Sequence, residues 1–430
     1  MKYIQAEFSG PLNGTVHIPG AKNSSLALLA AACLADSIVT LEGIPRIDDV
    51  RIIADIGRDI GIKLRQEGRQ VIIDPRWIHS SVIDPGKASS YRASYYFAGA
   101  LLSKFGKVTI GLPGGDDFVS RPIDQHIKVF KALGAQVRLF EDYYEVEAAE
   151  LKGADIYFDT ITSGATINAM LAAVLAKGRT QLYNAAVDPE VCDTANFLNQ
   201  LGARIYGAGT DFIRIEGVSY LNGGTHTVIP DRLIAGAFLM AAGLHGGQVT
   251  VMDVIPEHLG SCLAKMEEIG MHLECGESHI TAYGANSLKA TRIRTGMYPS
   301  FATDLQQPMT ALLLQAKGKS IVTDRVYPKR YAHVPQLRRL GAEIELRQDS
   351  ALISGGRPLQ GGWVHATDVR AGTCLLMAGL AAEGSTCITG VEHLERGYED
   401  VIGSFRSIGA KLSMRELDAQ AHPSQIRESY

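Results

Sequence analysis

The chain is poor in the residues that build metal centres, disulfide frameworks and redox motifs. Its 430 residues include six cysteines, and no two of them form a Cys-x-x-Cys pair. Cys33, Cys192, Cys262, Cys275, Cys374 and Cys387 stand mostly in apolar contexts and read as reduced, buried small hydrophobes of a cytoplasmic protein. There is no His-Glu-x-x-His, no Gly-x-x-x-x-Gly-Lys-Ser/Thr phosphate loop and no Gly-x-Gly-x-x-Gly after a strand, so the commonest hydrolytic and nucleotide-binding signatures are missing. Two tryptophans and ten methionines are too few for a cofactor box. The twelve histidines are scattered, and His126, His258 and His333 read as local hydrogen-bonding residues; no metal and no cofactor is expected. An excess of one charge is also lacking. Lys and Arg number 42 against 46 Asp and Glu, a net charge of −4, which speaks against a dedicated nucleic-acid binder. No apolar run approaches the length of a membrane span, and Met1–Glu7 has no signal-peptide core, so neither a membrane nor a secreted destination is expected.

What the chain does have is hydrophobic material and a repeat. Hydrophobic residues make up 46% and charged residues 20%, enough for large packed cores. A phrase of aliphatic residue, glycine and small or aliphatic residue recurs at Gly61, Gly134, Gly202, Gly270, Gly341 and Gly409, spaced 73, 68, 68, 71 and 68 residues apart. Each is followed by an alternating run such as Gln136-Val137-Arg138-Leu139, the pattern of helix, glycine cap and half-buried strand. Between these phrases lie six helices rich in small apolar residues, beginning near Lys22, Arg92, Ser163, Asp231, Asp304 and Asp368. They are apolar almost all round and are expected to be buried, whereas the other six helices carry charge on one face and are expected to meet water. Six units of roughly 70 residues make two halves of three. Val16-His17-Ile18-Pro19-Gly20 echoes Thr227-Val228-Ile229-Pro230-Asp231, so the chain is expected to cross between halves near Ala21 and near Pro230. The expected division is residues 1–21 with 230–416, residues 22–229, and a polar tail over 417–430. The first twenty or so residues would form a strand of the C-terminal half.

Polar residues gather at the starts of the buried helices: Lys22-Asn23, Arg92, Thr162-Ser163, Asp231-Arg232, Asp304, and Asp368 with Arg370. Each aspartate reads most simply as a helix cap. Cations at a helix start oppose its dipole, so capping does not explain Lys22, Arg92 and Arg370. If the buried helices run parallel in each half, their starts form two facing surfaces with a surplus of positive charge, suited to an anionic ligand. The loop over residues 111–122 contains Pro113-Gly114-Gly115-Asp116-Asp117 and ends at Arg121-Pro122; it reads either as a solvated turn or as a segment that closes over substrate. A repeat scaffold without chemistry is the competing reading.

The residues resemble one family closely. Pro19-Gly20-Ala21-Lys22-Asn23, Tyr91-Arg92-Ala93-Ser94, Leu112-Pro113-Gly114-Gly115, Arg121-Pro122-Ile123-Asp124, Ser163-Gly164-Ala165-Thr166, Asp188-Pro189-Glu190, Pro230-Asp231-Arg232, Ala302-Thr303-Asp304-Leu305-Gln306, Ala366-Thr367-Asp368-Val369-Arg370-Ala371 and Glu395-Arg396-Gly397-Tyr398-Glu399 are similar in sequence and spacing to UDP-N-acetylglucosamine enolpyruvyl transferases (1-carboxyvinyltransferases), from residue 1 to about residue 415. The related 5-enolpyruvylshikimate 3-phosphate synthases carry Gly-Ser-Lys-Ser at the first motif, where this chain has Gly20-Ala21-Lys22-Asn23. The resemblance implies an α/β fold, an inside-out α/β barrel of two domains with three repeats each. It implies transfer of enolpyruvyl from phosphoenolpyruvate to the 3-hydroxyl of UDP-N-acetylglucosamine, with release of phosphate, as the first committed step of peptidoglycan synthesis. No cofactor is implied, nor any nucleic-acid or membrane partner, and the expected state is a monomer or weak oligomer.

The same resemblance implies the site. Lys22, Asn23, Arg121, Arg370 and Arg396 fall on phosphoenolpyruvate positions, in keeping with arginine's bidentate grip on phosphate and carboxylate. Asn23, Arg92, Arg121, Pro122, Ile123, Asp124, Gln125, Thr162, Ser163, Gly164, Asp304 and Val326 fall on nucleotide-sugar positions. Asp116, Lys22, Asp304 and Arg396 are the implied catalytic set, with Asp304 as partner of the sugar hydroxyl. Asp116 occupies the loop position where the family usually has the cysteine that the epoxide fosfomycin alkylates. A carboxylic acid there can donate a proton but is not alkylated as a thiolate is, so insensitivity to fosfomycin is expected. Thr162-Ser163 stands where Ser-Val is usual, and Tyr327-Pro328-Lys329-Arg330 differs from the commonest form. A paralogue acting on another nucleotide or nucleoside hydroxyl would keep the phosphoenolpyruvate residues and change these; a non-catalytic paralogue is the third reading.

Overall fold

Six helices built largely of Ala, Leu, Ile, Met and Gly form the interior, because they have no polar face to turn outward. The computed structural model describes residues 1–90, 92–112 and 122–416. The helices are α1 (Lys22–Ala31), α2 (Tyr96–Phe105), α3 (Ser163–Ala173), α4 (Arg232–Ala241), α5 (Gln306–Leu313) and α6 (Val369–Ala381). Every residue of α6 is buried, as is every residue of α5. Two of the six start later than the sequence suggests, because a 3-10 turn precedes them: Arg92–Tyr95 before α2 and Thr303–Leu305 before α5. Gly106 closes α2 in the left-handed conformation, φ 69°, and its amide bonds the Leu102 carbonyl at 2.8 Å.

Side-chain register shows that neighbouring buried helices are parallel. Gly99 N donates to Asn168 Oδ1 at 2.8 Å and Ser103 Oγ to the Ala172 carbonyl at 3.1 Å, so α2 and α3 rise together at a constant offset of 69 residues. Gly236 faces Leu305 and Gly243 faces Leu312, which sets α4 and the α5 segment in the same sense. The helix starts are thus brought together within each set.

The strands form six four-stranded sheets among the described residues. In each, an edge strand runs parallel to the strand that follows a buried helix, and in all but the last a hairpin completes the sheet antiparallel. The sheet over α2 is the plain case: Val82–Ile83, Lys107–Gly111, Tyr143–Glu147 and Gln136–Leu139. Two edge strands are exchanged. Asn13–His17 precedes α1 yet pairs with Gln248–Met252 after α4, while Gly224–Thr227 precedes α4 yet pairs with Val39–Glu42 after α1. The N-terminal strand Lys2–Glu7 fills the inner hairpin position of the last sheet, between Ser385–Thr389 and Lys411–Glu416. The opening residues therefore give two strands in two sheets, not one.

The chain divides into two compact units, residues 1–18 with 230–430 and residues 19–229, each with its own hydrophobic core. Pro19–Ala21 go with the second: Ala21 N donates to the Ile229 carbonyl at 2.7 Å, and a Cβ on Gly20 would lie 2.2 Å from the Gly43 carbonyl. Among the described residues no helix is long and apolar enough to cross a membrane. Asp116, Asp117 and Arg121 and the tail from residue 417 lie outside the described residues.

Candidate active site

In the unit of residues 19–229, polar groups collect where α1 and α3 begin. Lys22 is the first residue of α1, and its ammonium meets Asp49 Oδ2 at 2.9 Å. Asp49 is 1% exposed and sits in the first turn of the helix Asp48–Asp59, where the helix dipole also favours a carboxylate. Asn23 beside it is exposed. Thr162 caps α3, its Oγ1 accepting from Ala165 N at 3.5 Å, and half-buried Ser163 and Gly164 open the helix. The Gly164 position has to be open: a Cβ there would stand 2.6 Å from the Tyr95 hydroxyl. Arg92 lies on the 3-10 turn that leads to Tyr95.

Asn168 joins these elements. Its amide donates to the Tyr95 carbonyl at 3.0 Å and faces His126 Nδ1 at 2.9 Å, while its oxygen takes Gly99 N. His126 follows Asp124 and Gln125 in the helix Asp124–Ala132. Pro122 and Asp124 are exposed and Ile123 is half-buried, whereas Gln125 is buried. The Gln125 amide donates to Asp124 at 2.8 Å and Asp159 at 3.2 Å, and its oxygen accepts from Asp159 N at 3.0 Å. That side chain ties the helix to the end of a neighbouring strand.

In the unit of residues 1–18 and 230–430, the start of α5 faces the start of α6. Asp304 is not a cap, although that was its simplest reading. Its Oδ1 takes Arg330 Nη1 at 2.6 Å and its Oδ2 takes Arg370 Nε at 3.2 Å. The other two aspartates are caps. Asp231 accepts from Leu233 N and Ile234 N, and Asp368 from Arg370 N and Ala371 N. Arg330 and Arg370 are 7% and 5% exposed and Asp304 is 25% exposed, so the carboxylate is the part of the cluster open to solvent. Burial works against both guanidinium charges. Asp304 and Asp368 outweigh it at Arg330, and Asp304 and Asp231 at Arg370, so both pKa values end raised. The expected surplus of positive charge at Lys22 and Arg370 is accordingly met by carboxylates of the chain itself.

The neighbourhood is fixed from behind by Asp324, which is fully buried. It accepts from Thr295 Oγ1 and Thr303 Oγ1, both at 2.7 Å, and from the backbone amides of Val326 and Tyr327 at 3.0 and 2.8 Å. This places half-buried Val326 on the loop that returns as Arg330. Arg396 follows the short helix Val391–Glu395, held close to α6 by missing side chains: a Cβ on Gly397 would stand 2.6 Å from Val369, and one on Gly372 would stand 2.8 Å from Leu394. Tyr398, buried behind it, receives a hydrogen bond from Thr373 Oγ1 at 3.2 Å.

Asp304 and Arg370 are thus brought together. Asp49, Asp324 and Arg330 were missed. The signals were present: two carboxylates open the Asp48-Asp49 helix, and Arg330 ends a stretch singled out only for being unusual. The cysteines need one correction. Cys33, Cys262 and Cys374 are buried, Cys192 and Cys387 are half-buried, and Cys275 is exposed, because it ends an outer hairpin strand, His272–Cys275. Burial pushes the Cys33 and Cys262 thiols up to about 12 and raises Cys374 as well. Cys192, Cys275 and Cys387 are also raised, burial leading in each case and nearby carboxylates adding to it at the first two.

The family model for EPSP synthase (3-phosphoshikimate 1-carboxyvinyltransferase) matches residues 7–405. The UDP-N-acetylglucosamine 1-carboxyvinyltransferase 2 of Geobacillus kaustophilus is 49% identical, with 97% of both chains covered. The protein of the same name from Bacillus subtilis is 48% identical, again over 97% of both, and that of Latilactobacillus sakei is 48% identical over 97% of this chain and 100% of the relative. Among solved structures, the enolpyruvyl transferase NikO from Streptomyces tendae superimposes with a TM-score of 0.86 at 23% identity, over 96% of this chain and 98% of that one. An EPSP synthase from Acinetobacter baumannii gives a TM-score of 0.75 at 18% identity, over 96% of this chain and 100% of that one. These two likenesses are of fold.

Proposed function

The chain belongs to the EPSP synthase family of enolpyruvyl transferases, and from that premise we propose that it transfers the enolpyruvyl group of phosphoenolpyruvate to the 3-hydroxyl of UDP-N-acetylglucosamine, releasing phosphate, in peptidoglycan synthesis. The observation that carries this reading is the Asp304 carboxylate bracketed by Arg330 and Arg370. It offers a proton acceptor and two planar cations side by side, which is what a sugar hydroxyl and a carboxylate-bearing substrate need in common.

Carbon 3 of phosphoenolpyruvate gains a proton, which makes carbon 2 electrophilic. The sugar oxygen bonds to carbon 2 and passes its proton to Asp304. The bond from carbon 2 to the phosphate oxygen then breaks, its electron pair leaving with the phosphate, while carbon 3 returns a proton to the group that supplied the first and the double bond re-forms. In this reading Asp116 serves as the acid for carbon 3. Lys22, Arg121 and Arg396 hold the phosphate, with Asn23 adjacent, while Arg370 and Arg330 exchange part of their bonding from Asp304 to the substrate carboxylate. Arg92, Arg121, Pro122, Ile123, Asp124, Thr162, Ser163, Gly164 and Val326 present the nucleotide-sugar side, with Gln125 bracing Asp124. The substrates belong to the cytoplasm, which is where this reading puts the enzyme.

The test is phosphate release from phosphoenolpyruvate with a panel of UDP-sugars and free nucleotides. Release with UDP-N-acetylglucosamine and not with the others is expected. Release with a different nucleotide or nucleoside alone would assign the chain to another acceptor, and release with none would leave a non-catalytic paralogue.

A further inference from the structure

Among the buried carboxylates of the unit that carries α1, Asp193 has no part in the steps above. Asp193 lies in the helix Pro189–Gln200 and is 2% exposed. Both its oxygens are engaged. Oδ1 faces His226 Nε2 at 2.8 Å, and Oδ2 accepts from the Ser24 hydroxyl and, at 3.5 Å, from the Ile229 amide. His226 sets its Nδ1 against Gln200 Oε1 at 2.8 Å, and its ring lies 5.4 Å from that of Phe197. A buried carboxylate is costly unless donors surround it, and these come from two separate places in the chain, Ser24 and the segment that holds His226 and Ile229.

Where those donors sit gives the carboxylate its meaning. Ser24 directly follows Lys22 and Asn23. The N-cap of α1 is Ala21, which makes no side-chain cap bond, so the usual device for fixing a first helical turn is absent. Ser25 bonds back to the Ala21 carbonyl at 2.8 Å, the local alternative open to a helix serine; Ser24 instead reaches across to Asp193. Ile229 is the last residue of this unit, and its carbonyl accepts from Ala21 N at 2.7 Å. One carboxylate therefore joins the start of α1 to the segment by which the chain leaves the unit.

We propose that Asp193, backed by His226, is a positioning residue: it sets the first turn of α1, and with it Lys22 and Asn23, against the departing segment Val228–Ile229. The proposal rests on the reading that Lys22 and Asn23 meet the substrates.

The test uses the full chain with Ser24→Ala, Asp193→Asn and the double variant. Ser24→Ala keeps a good helix former and removes only the hydroxyl. With phosphoenolpyruvate varied at saturating UDP-N-acetylglucosamine, each single variant should lower kcat/KM about tenfold, the size of one charge-assisted hydrogen bond. The double variant should lose no more than the worse single, since both changes cut the same link. Hydrogen exchange at the amides of Ser24–Ala27, without substrate, should quicken about tenfold in Ser24→Ala while α2 and α3 keep their rates. If wild type does not use this acceptor, the functional reading fails, and exchange still decides the positioning claim. A kcat/KM within twofold of wild type in Ser24→Ala, multiplying losses in the double variant, or unchanged exchange would overturn it. If Asp193→Asn does not fold, His226→Gln takes its place in the same cycle.

Discussion

The Asp49 carboxylate holds the Lys22 ammonium at 2.9 Å from a position that is 1% exposed, 27 residues along the chain. The lysine proposed to receive phosphate is thus held in place before a ligand arrives, and less of its side-chain entropy remains to be lost on binding. Asp49→Asn removes the charge and keeps the shape. It should lower kcat/KM for phosphoenolpyruvate by roughly 10- to 100-fold, the worth of about 1.5–3 kcal/mol for a hydrogen bond to a charged group. Lys22→Ala should nearly abolish turnover with the helical circular dichroism intact. Steady-state kinetics beside far-ultraviolet spectra check both. A wild-type kcat/KM in Asp49→Asn would contradict the assignment.

Arg330 carries more of the fold than Lys22 does. Removing it takes from Asp304 and Asp368 the guanidinium that stands 2.6 and 3.9 Å from them. Truncating one member of a buried charge cluster costs about 3–5 kcal/mol. Arg330→Ala should therefore lower the urea midpoint as well as activity. Arg330→Lys should recover much of the stability and little of the activity, because one ammonium cannot stand toward Asp304 and Asp368 from two nitrogens, at 2.6 and 3.9 Å, as the guanidinium does. Equal activity in the lysine variant would show that charge alone is needed there.

Stability should depend on acid through His333. Burial, and then the Arg330 charge, push its imidazole down to about 3, and its Nε2 has no hydrogen-bond partner among the described residues. An unfolded histidine titrates near 6.5. Between those values the unfolded chain binds the extra proton, so this contribution to stability is complete above about pH 6.5 and is lost progressively as pH falls toward 3, at about 1.4 kcal/mol per pH unit. His333→Asn should flatten that limb. Urea midpoints from pH 7 to 4.5 for the two proteins would diverge; parallel slopes would refute the effect.

The loop aspartate predicts a drug phenotype. All six thiols have raised pKa values, so none is poised as a thiolate near neutral pH. Wild type should be insensitive to fosfomycin, and Asp116→Cys should show time-dependent inactivation with activity retained. Asp116→Ala should be much slower, unless Asp117 serves in its place, which Asp116→Ala/Asp117→Ala reveals. Progress curves and intact-mass measurements decide; a covalent adduct on wild type would sink the role given to Asp116.

Local pattern carried the repeat and the helix starts into view. Six apolar helices, glycine caps such as Gly106, and the capping aspartates Asp231 and Asp368 all depend on neighbours within a few residues. The missed residues depend on distant partners. Arg330 becomes meaningful only beside Asp304, 26 residues away, and Asp193 only beside Ser24, 169 residues away. The exchange of Asn13–His17 with Gly224–Thr227 is likewise invisible to alternation, which tells which face of a strand is buried and not which strand lies beside it. The single strand expected at the N-terminus failed at Pro11, which falls between Lys2–Glu7 and Asn13–His17 and lacks the amide a continuous ladder would use.

The most direct test of enolpyruvyl transfer is a single incubation in deuterium oxide. It uses the wild-type chain, UDP-N-acetylglucosamine and phosphoenolpyruvate labelled with oxygen-18 in the bridging position, read by mass spectrometry and phosphorus NMR. Protonation at carbon 3 followed by loss of phosphate predicts two outcomes together. The nucleotide-sugar gains an enol ether at its 3-oxygen with deuterium on the vinyl carbon, and the released phosphate retains the oxygen-18. Unmodified nucleotide-sugar alongside pyruvate and unlabelled phosphate would mean cleavage of the phosphorus–oxygen bond, and would contradict the account.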